Sequence, residues 1–438
     1  MIWHPCTQMK DHKNFPIMKM KSGKGAMLFD ENGKSYIDAI SSWWTNIFGH
    51  SNQRINRAIS EQAQKLEHVI FAGFTHEKAE ELASRLLKLT KGNFQHVFFA
   101  GGDGSSAVEA AMKMSYQYHL EKGEEKKRFI ALNHGYHGET LGALSLCGED
   151  LYRKKYDSII MKNIFVKGPD CYRCPFGKNR ENCDGECFIF MEKALEKYHK
   201  DVNAVVVEPL VQCAGGFKIY PSIYLKKLRD ACDRFNVHLI LDEIATGFGR
   251  TGTMFAEEQA EIWGDFICLG KTMTGGYLPL SAVLAKNEIY NVFYDDYTSL
   301  KAFLHSHSYT GNPLACAAAC EVLNIFEEKN WLKEIEEKAS FVMENMGNFK
   351  DFKYVGEIRQ RGFITAIELV KDKDTKERFD WKKRIGFEIY KIALNKGAIL
   401  RPLGDVIYFM PPYVITCDEI KKMCDIAKDS IYEFFKEK

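Results

Sequence analysis

Val237-His238-Leu239-Ile240-Leu241-Asp242-Glu243-Ile244-Ala245-Thr246-Gly247-Phe248-Gly249-Arg250-Thr251-Gly252 begins as an apolar run and stops abruptly at two acids and a glycine-rich turn. A short apolar run bounded by turn residues reads as a strand buried on both faces, as in parallel sheets covered by helices. Similar runs lie on either side of it, at 96–100, 128–132, 204–210, 266–269 and 281–285. Helical periodicity appears between and beyond them, at 77–89, 107–118, 222–235 and 313–328. The alternation predicts an α/β domain with a mostly parallel, doubly wound sheet over residues 51–330. After Trp331 come a long charged helix, apolar runs at 363–370, 398–402 and 406–410, and helical patterns at 381–395 and 418–435. These predict a smaller α+β domain over 331–438, joined by the N-terminal segment 1–50. There is no internal repeat and no low-complexity linker.

The 438 residues are 45% hydrophobic and 13% aromatic, enough to bury a large core. Sixty Lys and Arg almost cancel 59 Asp and Glu, leaving a formal charge of +1, so no global field favours nucleic acid or an anionic membrane. Partners are expected to be small molecules or further copies of the chain. The start, Met1-Ile2-Trp3-His4-Pro5-Cys6, lacks a basic stretch followed by an apolar run, and nothing downstream approaches the roughly 20 apolar residues that span a bilayer. The expected location is cytoplasmic. Several of the 13 cysteines (Cys268, Cys316, Cys320) sit inside apolar runs, where a reduced thiol serves as a small hydrophobe.

Three predicted strand ends carry chemistry, and in open α/β sheets that edge is where ligands bind. Val97-Phe98-Phe99-Ala100-Gly101-Gly102-Asp103-Gly104-Ser105-Ser106-Ala107 runs from a strand through glycines into a helix. Small residues admit an anion to the helix N-terminus, and Ser105 adds a hydroxyl; a tight turn with a serine N-cap is the plain alternative. The spacing fails the dinucleotide and Walker patterns, so a single phosphate is expected. Asp242, an acid closing a buried strand, needs a cationic partner, and the pyridinium nitrogen of pyridoxal phosphate is one. Phe266-Ile267-Cys268-Leu269-Gly270-Lys271 ends another apolar run in a lysine, and a buried lysine is a nucleophile toward an aldehyde.

Together with Gly135-Tyr136-His137-Gly138 and His305-Ser306-His307-Ser308-Tyr309-Thr310-Gly311-Asn312-Pro313, these segments resemble the class III aminotransferases of fold type I over nearly the whole chain. The resemblance implies that Lys271 holds the aldehyde of pyridoxal 5′-phosphate and later moves the proton, with Lys271, Asp242 and Tyr136 as the catalytic set. Asp242 would meet the ring nitrogen and Tyr136 the ring face. Gly104 and Ser105 would hold the phosphate, and Ser308 would reach the phosphate of a neighbouring subunit, which implies a homodimer with a shared site. His137 receives no role. Glu208 either lies near the cofactor or is a structural acid paired with Arg250.

Trp3-His4-Pro5, Thr7-Gln8-Met9 and Ser41-Ser42-Trp43-Trp44 resemble the branch of that family that aminates 8-amino-7-oxononanoate from S-adenosylmethionine or lysine, a step of biotin biosynthesis. In that reading Trp43 and Trp44 wall the aliphatic chain, Arg401 clamps the carboxylate, and Arg250 and Gly311 also line the substrate site. Glu139 stands where that branch usually carries Asp, and Cys6 where it carries Tyr. A thiol is shorter than a phenol, so another group must replace that hydroxyl. Cys171, Cys174, Cys183 and Cys187 have spacing that invites zinc, but similar loops in the family require no metal, and none is expected. The rival readings are a class III transaminase of another ω-amino acid or diamine, and a non-catalytic binding protein on the same fold.

Overall fold

Alternate residues of the central strands enter different cores. Leu239 and Leu241 join one apolar cluster with Val205, Val207, Ile130 and Leu132, while Ile240 joins another with Val206, Ala204, Phe129 and Ala131. Both faces of the sheet are therefore dry, and each of these large side chains contributes about 2 kcal/mol by leaving water. The computed structural model describes residues 2–436; Met1, Glu437 and Lys438, at the ends of the first and last predicted segments, lie outside the described residues.

The large sheet has seven strands in the order His96–Gly101, Ser281–Ala285, Phe266–Leu269, His238–Asp242, Val202–Val207, Arg128–Leu132, Ile164–Val166. Six run parallel, while Ser281–Ala285 is antiparallel to both neighbours. Gly101, Leu132, Val207, Asp242 and Leu269 thus end at one edge. Helix Gly104–Glu121 covers one face, and Ile189–Tyr198 and Ile223–Arg234 cover part of the other.

A second sheet pairs the antiparallel strands Met20–Lys24, Met27–Asp30 and Ser35–Asp38, and adds Ala398–Ile399 parallel to the last. A third is the antiparallel set Val355–Arg361, Ile364–Leu369, Val406–Phe409. The N-terminal segment is thereby stitched to residues near the C-terminus. The helix predicted over 381–395 is broken: a 3-10 turn Trp381–Lys383 ends at Arg384, which takes φ +48°, and the α-helix runs Ile385–Lys396. Among the described residues no helix is long and apolar enough to cross a membrane.

Candidate active site

Strand His238–Asp242 delivers Asp242 to the sheet edge almost wholly buried. Its Oδ1 accepts the Ile244 N–H at 3.1 Å and its Oδ2 accepts His137 Nδ1 at 2.8 Å. A carboxylate only accepts, so His137 donates from Nδ1, and its other ring nitrogen is Nε2. That Nε2 is buried with no hydrogen-bond partner. His137, unassigned in the sequence reading, is therefore a group that orients Asp242.

Glu208 follows strand Val202–Val207 and accepts the backbone N–H of Tyr136 at 3.1 Å and of Cys213 at 2.9 Å. Burial pushes its carboxyl up to about 7. It fixes the backbone from which Tyr136 projects; the alternative pairing with Arg250 does not occur. The Tyr136 ring meets Tyr152 edge-on at 5.5 Å, and its hydroxyl donates to Glu139 at 3.0 Å. Burial raises the phenol pKa, so Tyr136 stays protonated.

Lys271 opens a 3-10 turn directly after strand Phe266–Leu269, at φ +32°. A non-glycine residue there is strained by about 1–2 kcal/mol, a cost that clusters at functional sites. Its ammonium makes no hydrogen bond or ion pair with any described residue and lies 5.3 Å from the Trp44 ring centroid.

Helix Gly104–Glu121 is capped by Asp103, whose Oδ1 accepts the Ser106 N–H at 3.0 Å; the cap is thus aspartate rather than serine. Ser105 Oγ instead accepts the Glu139 N–H at 3.3 Å. The N–H groups of the first helical turn have no partner within the helix. A Cβ on Gly104 would come within 2.8 Å of Ile244 Cδ1, so only glycine lets the turn sit this close to the Asp242 loop.

Trp44 is buried and donates from Nε1 to the Tyr408 hydroxyl at 3.0 Å. Trp43 is 44% exposed, with the Arg401 guanidinium 5.1 Å over its ring. Trp43, Arg401 and Cys6 line a cleft of about 780 Å³, to which Lys271 and Asp242 do not contribute. Arg401 Nη2 donates to the Cys6 carbonyl at 2.6 Å, so at Cys6 it is the main chain that meets the guanidinium.

Arg250 is a correction. It is wholly buried and donates to the carbonyls of Pro411 at 2.7 Å, Met410 at 3.4 Å and Trp44 at 3.3 Å, with its guanidinium over the Tyr413 ring. A side chain enclosed on all sides cannot line a substrate site; it ties the tryptophan turn to the 410–411 segment from behind. Ser308 and Gly311 also stand apart from the Lys271 cluster in this chain. Ser308 is exposed, and Gly311 gives its carbonyl to His76 Nε2 at 2.6 Å beneath the Phe71 ring.

The cysteine loop is fastened to the third sheet by ion pairs of Arg173 with Glu368 and of Arg180 with Glu357. Among the described residues no group of three or more His, Cys, Asp or Glu side chains could hold a metal ion.

The donor set fits pyridoxal phosphate. Lys271 makes no hydrogen bond or ion pair with any described residue, the buried Asp242 carboxyl is oriented by His137, and the Gly104–Ser105 helix start suits a phosphate. The buried Thr272 hydroxyl, next to Lys271 in sequence, and Nε2 of His137, which is hydrogen-bonded to Asp242, add two orphaned polar atoms.

The sequence profile of the family described as Aminotransferase class-III matches residues 7–431. The adenosylmethionine-8-amino-7-oxononanoate aminotransferase of Helicobacter pylori is 44% identical over 427 residues, covering 96% of this chain and 93% of that one. The crystal structure of the Methanocaldococcus jannaschii protein of the same name has a TM-score of 0.93 at 38% identity, over 99% of this chain and 97% of that one. An amine transaminase from an uncultivated Pseudomonas species, solved in the PLP-bound form, has a TM-score of 0.94 at 30% identity, over 99% and 98% of the two chains.

Proposed function

The chain belongs to the class III aminotransferases and uses pyridoxal phosphate; within that family we propose that it aminates 8-amino-7-oxononanoate to 7,8-diaminononanoate for biotin biosynthesis, with S-adenosylmethionine as donor. Relatives that carry this name match nearly the whole chain. The observation that carries the reading is the cleft in which Trp43 and Arg401 stand together, next in sequence to Trp44, whose ring lies beside the Lys271 ammonium. It offers an apolar wall and a cation to a substrate that has an aliphatic chain and a carboxylate.

Bound pyridoxal phosphate supplies an electron sink that acidifies the carbon bearing the amino group. Lys271 would hold the cofactor and carry the proton to and from that carbon, its ammonium making no hydrogen bond or ion pair with any described residue. Asp242, oriented by His137, would keep the ring nitrogen protonated. Gly104 and Ser105 would hold the phosphate, and Tyr136, set by Glu208, would cover the ring. Arg401 would release the Cys6 carbonyl and take the acceptor carboxylate.

Arg401→Ala tests the acceptor assignment. The acceptor KM rises at least about tenfold, the expected loss of a charged hydrogen bond, while the donor half-reaction and cofactor binding keep their wild-type values. An unchanged acceptor KM overturns the assignment.

We also infer a homodimer, in which Ser308 would reach the partner's phosphate. Ile70, Phe74, Leu300, Leu304 and Tyr309 are large exposed apolar side chains on the segments flanking Ser308 and Gly311, and such a patch calls for cover. The cytoplasm is the location we assign to a chain of this biosynthetic class.

A further inference from the structure

Ser41, Ser42, Trp43 and Trp44 all have positive φ, at 49°, 47°, 81° and 72°. Four consecutive non-glycine residues in the left-handed region form a turn that side chains disfavour at every position. Such a turn persists only where the surroundings over-determine it, and Asp38 supplies the first restraint. Wholly buried at the end of strand Ser35–Asp38, it accepts the Ser42 N–H at 2.9 Å on Oδ1 and the Ser42 hydroxyl at 2.7 Å on Oδ2. His50 Nε2 donates to the same Oδ2 at 2.9 Å and fixes the carboxylate from the far side. Ser41 Oγ donates to the Met410 carbonyl at 2.8 Å, and Arg250 holds the Trp44 carbonyl. An ordinary right-handed turn would send both indoles elsewhere.

We propose that Asp38 is a positioning residue for the acceptor: its carboxylate clamps the left-handed turn that aims Trp44 at Lys271 and Trp43 at Arg401, and so determines which acceptor chain fits. The identity of that acceptor rests on the reading under Proposed function. Asp38 touches no reacting atom. It acts through Ser42, whose N–H and hydroxyl both donate to it.

The test uses the cofactor-loaded chain with Asp38→Ala, Asp38→Asn and Ser42→Ala. For Asp38→Ala the acceptor KM rises about tenfold or more, while kcat and the donor KM stay within about threefold, since a misplaced pocket wall costs binding before chemistry. The tryptophan near-ultraviolet circular dichroism weakens, and the visible band of the bound cofactor is unchanged. Asp38→Asn keeps an acceptor for the Ser42 N–H and recovers part of both signals. If Asp38→Ala does not fold, Ser42→Ala carries the test by removing only the hydroxyl bond, with an acceptor KM raised about threefold. Wild-type KM and circular dichroism in the folded variants overturn the proposal, as does an equal rise in donor and acceptor KM. If the wild-type chain leaves 8-amino-7-oxononanoate untouched, the acceptor assignment fails, and the tryptophan spectrum alone still decides whether Asp38 holds the turn.

Discussion

At the residue scale the acids at one strand end play opposite parts. Asp242 is paired with His137, whereas Glu243, the next residue, is wholly buried with only neutral donors: the Thr246 hydroxyl at 2.6 Å and the Glu257 N–H at 3.0 Å. Burial pushes the Glu243 carboxyl from 4.5 up to about 8. Below pH 4.5 it is protonated in both states; between 4.5 and 8 the unfolded chain has released a proton that the folded chain keeps. Stability from this group therefore falls as pH rises through that window and levels off above it. Glu257, raised well above its usual range by burial, acts in the same sense. In Glu243→Gln the urea midpoint falls less between pH 5 and pH 8, by roughly 1–3 kcal/mol of unfolding free energy at the upper end; a slope equal to wild type contradicts the assignment. The sequence marked Asp242, Glu243 and Lys271 because charge at the end of an apolar run is conspicuous. It missed His137, whose use appears only when a separate strand end brings it to Asp242, and it misread Arg250, whose partners are backbone carbonyls that no side-chain pattern announces.

At the element scale, the strands 128–132, 266–269 and 281–285 and the helices 77–89 and 313–328 were legible to the residue, because unbroken apolar runs and 3.6-residue periodicity are strong signals. Direction was not: Ser281–Ala285 is antiparallel, and nothing in an apolar pentapeptide distinguishes the two senses. Seven strands escaped notice: Met20–Lys24, Met27–Asp30, Ser35–Asp38, Ile164–Val166, Val211–Gln212, Lys218–Ile219 and Val355–Arg361. Ile164–Val166 is only three residues long, and Val355–Arg361 carries charges on a strand whose core contacts are few. The left-handed turn at Ser41–Trp44 was also unreadable, because its residue types give no sign of positive φ; the tryptophan pair drew attention for its bulk, and the geometry that gives it meaning is set by Asp38 and by residues near 410. The serine cap weighed as the plain alternative at helix Gly104–Glu121 gave way to Asp103, because the aspartate reaches the Ser106 N–H and hydroxyl together.

At the scale of the whole molecule, the seven-stranded sheet gathers Gly104, Tyr136, Glu208, Asp242 and Lys271 at one edge, and the N-terminal segment brings the Trp44 ring beside Lys271. The segments around Phe74 and Leu304 expose large apolar side chains, and the proposed homodimer would cover them. Sedimentation equilibrium of the cofactor-loaded protein gives twice the 50.3 kDa chain mass; a monomer at micromolar concentration contradicts the shared site. The central claim is that Lys271 carries transamination between a donor amine and 8-amino-7-oxononanoate. The most direct measurement is the visible spectrum of the cofactor-loaded chain and of Lys271→Ala, with S-adenosylmethionine added first and the keto acid second. The account predicts that the wild-type band is lost with the donor and restored by the acceptor, and that Lys271→Ala completes no such cycle. A Lys271→Ala chain cycling at even roughly a tenth of the wild-type rate, or a wild-type band that the acceptor leaves bleached, would contradict it.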